Sequence, residues 1–351
     1  MIKPTHELQV WIYSRTTFDT REQANKLVDY LMTHPRFAPD HFGEHVPLRQ
    51  LTPESHDQAV LFLMNPARQE LDPDRSWSMV FFKRTRRPHC SYLVHWSKLP
   101  HEGFAVSSYD IEEQYIQKPF HLNEWLAYTW GLLKLHDAWY AAFALSAEKH
   151  EKNFLHWYIQ HPHARNPEKG VETAGAVGVA LHEGIPGVYW GNYFGPFYVD
   201  WFGREKFERL PCVEKHWLDT GGIFFTTAPT PFDWDTSDTR QLQKTVKQHL
   251  GVDAFFDINI VRQLLAELGP IPEHLRPDDL QPRRVPEFPF KIEPPPRHPP
   301  EEEIKEIFHF FGSRGFTFIG IEGDTLIFHD AKGGIARVTV GPMRKVEYQP
   351  S

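Results

Sequence analysis

Histidine is the residue type most available for chemistry in this chain, with 21 among 351 residues. The densest group is His156, His161 and His163 in HWYIQHPH, with His150 close by. Neutral imidazole is a common metal ligand, yet a closed site needs three or four convergent ligands. No HExxH, paired CxxC or acidic ladder accompanies these histidines, so a His-rich solvent-facing loop accounts for them, and neither metal nor cofactor is expected. Signals for a nucleophile are equally sparse. GxSxG is absent, Cys90 lies in a strand-like run and Cys212 follows a proline, so both read as small buried residues. The phosphate-cradling patterns of Walker and Rossmann type are missing too. Glu102 with Asp110, or Asp233 with Asp235, are possible paired acids, but loop carboxylates usually cap helices or form turns.

The chemistry that stands out is instead that of recognition. GVYWGNYFGPFYVDWFG (187–203) alternates rings with glycines and carries one charge. Glycines allow sharp turns and close backbone approach while rings fill the gaps between sheet and helix. Tyrosine and tryptophan also give large contact area at low entropic cost, as in interface hot spots. Inner rings are expected to pack and outer rings to bind. Tyr189, Trp190, Asn192, Tyr193, Asp200 and Arg204 are the candidate partner contacts.

Elements must hold that segment in place. LQVWIYS (8–14) predicts a strand, and Thr20 with Gln23 opens a helix whose buried face is Ala24, Leu27, Val28 and Leu31. VLFLMN (60–65) predicts another strand, and 76–98 predicts two strands joined by a basic turn of Lys83, Arg84, Arg86 and Arg87. HLNEWLAYTWGLLKL (121–135) has helical spacing, with Asn123 as its cap, and Trp139 to Leu145 is read as a strand. The polar segment 146–175 is read as loop plus a short helix. Pro196 suits the first turn of a short helix that Gly203 ends, and Arg204 to Lys206 opens another turn. GGIFFTTA (221–228) is a strand, Asp238 to Leu250 a helix stopped by Gly251, and 258–268 a helix ending at Gly269.

The expected class is α+β, an antiparallel or mixed sheet with helices on one side and a small C-terminal helix-and-meander appendage. The expected division is a main body over 1–281, in halves 1–150 and 151–281 if it splits, then a Pro-rich linker over 282–300 and a tail over 301–351. Hydrophobic residues at 40% and charged residues at 24% are ordinary for a globular chain, and aromatics at 14% point to rings at an interface. A formal charge of -8 disfavours nucleic acid and suits a basic partner. Two distant cysteines fit a reducing compartment, and no secretory signal or apolar run of membrane-spanning length is seen, so the expected location is cytoplasmic.

Pro186 to Gly195, then Tyr198-Val199-Asp200, Phe202 to Lys206, Val246 to Gly251 and Phe255-Phe256, resemble bacterial immunity proteins of polymorphic-toxin systems. The likeness spans about 180–256, runs more loosely through 76–145 with Trp125 to Leu135 and Asp137 to Trp139, and is absent after 282. It implies an α+β protein that binds a cognate toxin stoichiometrically, without catalysis or cofactor. Two other classes stay open: a metal-dependent hydrolase using the loop histidines His156, His161 and His163, and a scaffold subunit of a bacterial defence assembly that makes contact through its tail.

Overall fold

Alternation of apolar and polar residues builds the main sheet, and its register shows which residues share a face. The structure is a computed structural model. It describes residues 5–44, 46–65, 77–98, 103–160, 170–272 and 276–291, and, beyond these, 305, 307–308, 311–312, 315–322, 325–331, 333–339 and 345–349. The chain divides into two units, Met1–Ile292 and Glu293–Ser351.

In the first unit the strands are β1 (Glu7–Ser14), β2 (His41–Gly43), β3 (Arg49–Gln50), β4 (Trp77–Arg84), β5 (Cys90–Ser97), β6 (Ala105–Glu112), β7 (Tyr140–Leu145), β8 (Phe154–Gln160), β9 (Val171–Ala176), β10 (Gly191–Phe194), β11 (Glu214–Trp217), β12 (Ile223–Thr226) and β13 (Ile271–Pro272). Ten of them form one sheet in the order β11-β12-β10-β7-β1-β6-β5-β4-β2-β3. Every pairing in it is antiparallel. A smaller sheet, β13-β8-β9, stands apart from it.

On one face pack α1 (Arg21–Thr33), α2 (His56–Met64) and α4 (Pro119–Leu135), which follows the single turn α3 (Glu113–Ile116). Leu27, Val28, Leu63, Trp125 and Leu132 meet Val10, Ile12, Phe143 and Phe224 there. On the opposite face, at the β10 and β12 end, lie α6 (Pro196–Phe202), α7 (Arg204–Glu208) and α8 (Ser237–Leu250). Tyr198, Phe202, Phe207 and Val246 close there over Tyr13, Tyr140, Phe194 and Phe225. The α+β class is as expected, but helices cover both faces at this end rather than one. That is why all six residues of β7 are buried and YAAFAL shows no alternation. Between these helices, α5 (Ser146–Asn153) leads from β7 into β8, and α9 (Ile258–Leu268) leads toward β13.

Several local expectations change. VLFLM belongs to the helix α2, entered from a 3₁₀ turn at Pro53–Ser55 and closed by Asn65 in the left-handed region with φ 54. The α4 start lies at Pro119 after an extended Lys118, so Asn123 sits inside the helix and caps nothing. The polar segment after α5 is a hairpin of β8 and β9, hidden from pattern reading because most of its side chains are exposed. Residues 282–291, read as the start of a linker, lie against the body: Phe288 and Phe290 stack on each other at 5.3 Å and meet Phe104 and Trp139. The rest of the Pro-rich stretch lies outside the described residues.

In the second unit, β14 (Thr317–Glu322), β15 (Thr325–His329), β16 (Ile335–Thr339) and β17 (Lys345–Gln349) form an antiparallel meander. Ile307 and Phe311 close its small core against Leu326, Phe328, Ala336 and Val338.

Candidate protein interface

The aromatic and glycine-rich stretch is held from within. Asn192 clamps its turn: the Tyr189 amide donates to Asn192 Oδ1 at 3.0 Å, and Asn192 Nδ2 donates to Tyr189 O at 2.9 Å. Tyr189 OH donates to Asn153 Oδ1 at 2.6 Å, and the Trp190 indole donates to Ala228 O at 3.0 Å. The Trp190 amide donates to Glu148 Oε2 at 3.1 Å. Glu148, fully buried, also accepts from Lys152 Nζ at 2.5 Å and from Gln243 Nε2 at 3.0 Å. Lys152 donates further to Val188 O and Gln243 Oε1, both at 2.8 Å. Burial lowers the Lys152 pKa, and Glu148 opposes that shift. A buried ion pair whose remaining donors and acceptors are all met fixes one backbone course, and losing either partner would strand the other charge. Gly191 completes the corner, since a Cβ there would lie 2.9 Å from Phe143 Cβ.

Tyr189, Trp190, Asn192 and Tyr193 are therefore core residues, each at most 1% exposed. Each offers almost no surface of its own to a partner, so these four pack the core where direct contacts were expected. Asp200 and Arg204 remain at the surface. Arg204 lies 4.0 Å above the Trp217 ring and bonds Glu208 at 3.3 Å.

The surface feature next to this core is a cleft of about 450 Å³ between α4 and the β11–β12 edge. Leu122, Asn123, Trp130, Phe224 and Phe232 line it, Trp190 forms part of its wall, and Glu214 and His216 belong to its rim. The Trp130 and His216 rings are 5.8 Å apart. The buried Trp130 indole N–H has no acceptor among the described residues. β11 ends the ten-stranded sheet, and its residues alternate. Glu214 and His216 line the cleft. On the other face, Lys215 donates to Phe207 O at 3.3 Å and to Glu208 O, and Trp217 lies under Arg204. Arg204 and Trp190 thus flank this edge from opposite faces. Sequence reading misses the edge because EKHW is four residues long and its outermost position depends on non-local strand order.

The remaining chemical candidates are dispersed. His156 pairs with Glu172 across the β8–β9 hairpin at 3.3 Å, and His150 stacks on Phe154. His161, His163 and Glu102 lie outside the described residues. Among the described residues no three His, Cys, Asp or Glu side chains are grouped to hold a metal ion. Burial pushes the Cys90 thiol up to about 12 and raises Cys212 as well. Of the basic turn, Arg84 is buried and donates to Ala38 O at 3.0 Å, while Arg86 lies 3.5 Å from Asp40. On the sheet face beyond β1, burial raises the Asp110 carboxyl pKa and lowers that of the Lys149 ammonium, which sits over the Trp11 ring. No helix among the described residues is long and apolar enough to cross a membrane.

No family profile matches the sequence, and no curated protein matches it. Among solved structures, the chain is similar to "Pseudomonas aeruginosa T6SS protein PA0821" at 10% identity, over 71% of this chain and 74% of that one, with a TM-score of 0.44.

Proposed function

We propose that this chain is a stoichiometric protein binder, an immunity protein that neutralises a cognate toxin in the cytoplasm of the cell producing it. The observation that carries the reading is the β11 edge beside the α4 cleft. An end strand, a hollow of mixed aromatic and polar lining with a tryptophan wall, and an exposed carboxylate lie side by side there. Such a mixture of aromatic floor and polar rim is the make-up of a protein interface. The resemblance of residues 180–256 to immunity proteins supports the same reading. Asp200 and Arg204 are its proposed outer contacts, while Tyr189, Trp190, Asn192 and Tyr193 form the frame behind it. The formal charge of -8 suits a basic toxin, whose approach it would steer.

The test is rescue. Cells expressing the product of the neighbouring gene should be arrested alone and grow when this chain is supplied, and the two proteins should copurify. Arrest that persists with the chain present, together with separate elution, would remove the reading.

A further inference from the structure

We propose that the partner engages by adding an extended segment to the outer edge of β11, with an apolar side chain in the α4 cleft and a basic side chain at Glu214. The proposal rests on the binder reading above and specifies its occupant.

The main chain of β11 supplies the first argument. Leu218 N donates to Gly222 O at 2.9 Å, at the same pairing sum as the ladder Glu214↔Thr226 to Trp217↔Ile223. Antiparallel strands alternate inward and outward amides. The N–H and C=O groups of Lys215 and Trp217 therefore face away from β12. Among the described residues no strand pairs with that side.

Edges of this kind are commonly guarded by a lysine held in solvent. Here Lys215 is tied to Phe207 O and Glu208 O at the end of α7, leaving the edge less protected.

Side-chain chemistry supplies the second argument. An added strand alternates its side chains between the two faces, so alternate residues would face the α4 cleft. That cleft offers Leu122, Phe224 and Phe232 as apolar contacts. Glu214 has a side chain 68% exposed, and its ionic neighbour is His216 at 3.8 Å. A basic residue next to the apolar anchor matches that carboxylate, as the overall negative charge would favour.

The experiment uses the full-length chain and the product of the neighbouring gene. Affinity is measured for wild type, Glu214→Lys and Lys215→Pro, with melting temperature as the folding control, and amide exchange is followed in the wild-type complex. The expected result is at least a tenfold loss of affinity for each folded variant and new protection of the Lys215 and Trp217 amides. Binding of wild type with no protection at those amides, and Glu214→Lys within twofold, overturns the edge proposal while leaving the binder reading intact. If Lys215→Pro fails to fold, the exchange data and Glu214→Lys decide alone. Absence of wild-type binding sinks the binder reading and this proposal with it.

Discussion

Replacing Trp190 with alanine separates a wall residue from a partner anchor. The ring is 1% exposed and its N–H bonds Ala228 O at 3.0 Å. A tryptophan buries about 150–250 Å², which at about 25 cal/mol per Å² is about 4–6 kcal/mol for the whole side chain. Alanine retains a small part of that, and the freed Ala228 carbonyl adds about 1 kcal/mol. Trp190 also lines a cleft of about 450 Å³, so water can enter the vacated space and part of the usual cavity penalty is relieved. The net expectation is a loss of about 3–4 kcal/mol. At about 2–3 °C per kcal/mol, the melting temperature should fall by about 6–12 °C. Heat and urea unfolding followed by circular dichroism would read this, alongside partner titration well below the variant's melting point. A stability loss under about 1 kcal/mol would refute the reasoning, because the ring would then not be a packed part of the core.

Other expectations follow from buried or close-packed sites. His136 is fully buried, and desolvation pulls its pKa down to about 3, below an unfolded value of about 6.5. The unfolded chain binds the extra proton between those values, so the stability contribution is complete above about pH 6.5 and fades as pH falls toward 3. Urea unfolding of wild type and His136→Gln between pH 7 and 4.5 should differ in slope by up to about 1.4 kcal/mol per pH unit; equal slopes would show that the imidazole is not held neutral. Gly191→Ala sets a methyl group 2.9 Å from Phe143 Cβ and against the Phe224 ring, and should cost about 1–3 kcal/mol in a denaturant titration. Phe288→Ala removes a half-buried ring stacked on Phe197 and Phe290, and should cost about 2 kcal/mol; an unchanged midpoint would mean that 282–291 does not brace the body.

Elements with strong local signals were readable in the chain. The Thr20 side chain accepts from the Gln23 amide at 3.3 Å, and Ala24, Leu27, Val28 and Leu31 are the buried face of α1. Pro196 and Gly203 bound α6, the latter with φ 94, and Gly251 ends α8. What escaped had an ambiguous local signal or depended on distant chain. VLFLM is too short for its apolar run to separate strand from helix, and the Thr52 turn before it decides the outcome. Glu148 and Lys152 look like a solvated i, i+4 pair on a polar helix, but Gln243 and the Trp190 amide, far along the chain, turn them into a buried network. The same non-locality hid the proposed interface. Rings in GVYWGNYFG have the composition of a hot spot, yet β7 and β12 enclose that strand on both sides and bury it.

The central claim is neutralisation by binding rather than turnover, and titration tests it most directly. The purified neighbouring-gene product would be titrated with the full-length chain, following bound fraction by calorimetry and residual toxic activity in the same samples. A stoichiometry near one, with activity falling in proportion to the bound fraction, is the predicted result. Loss of toxic activity at a small fraction of equivalence, growing with time, would show that this chain acts as a catalyst.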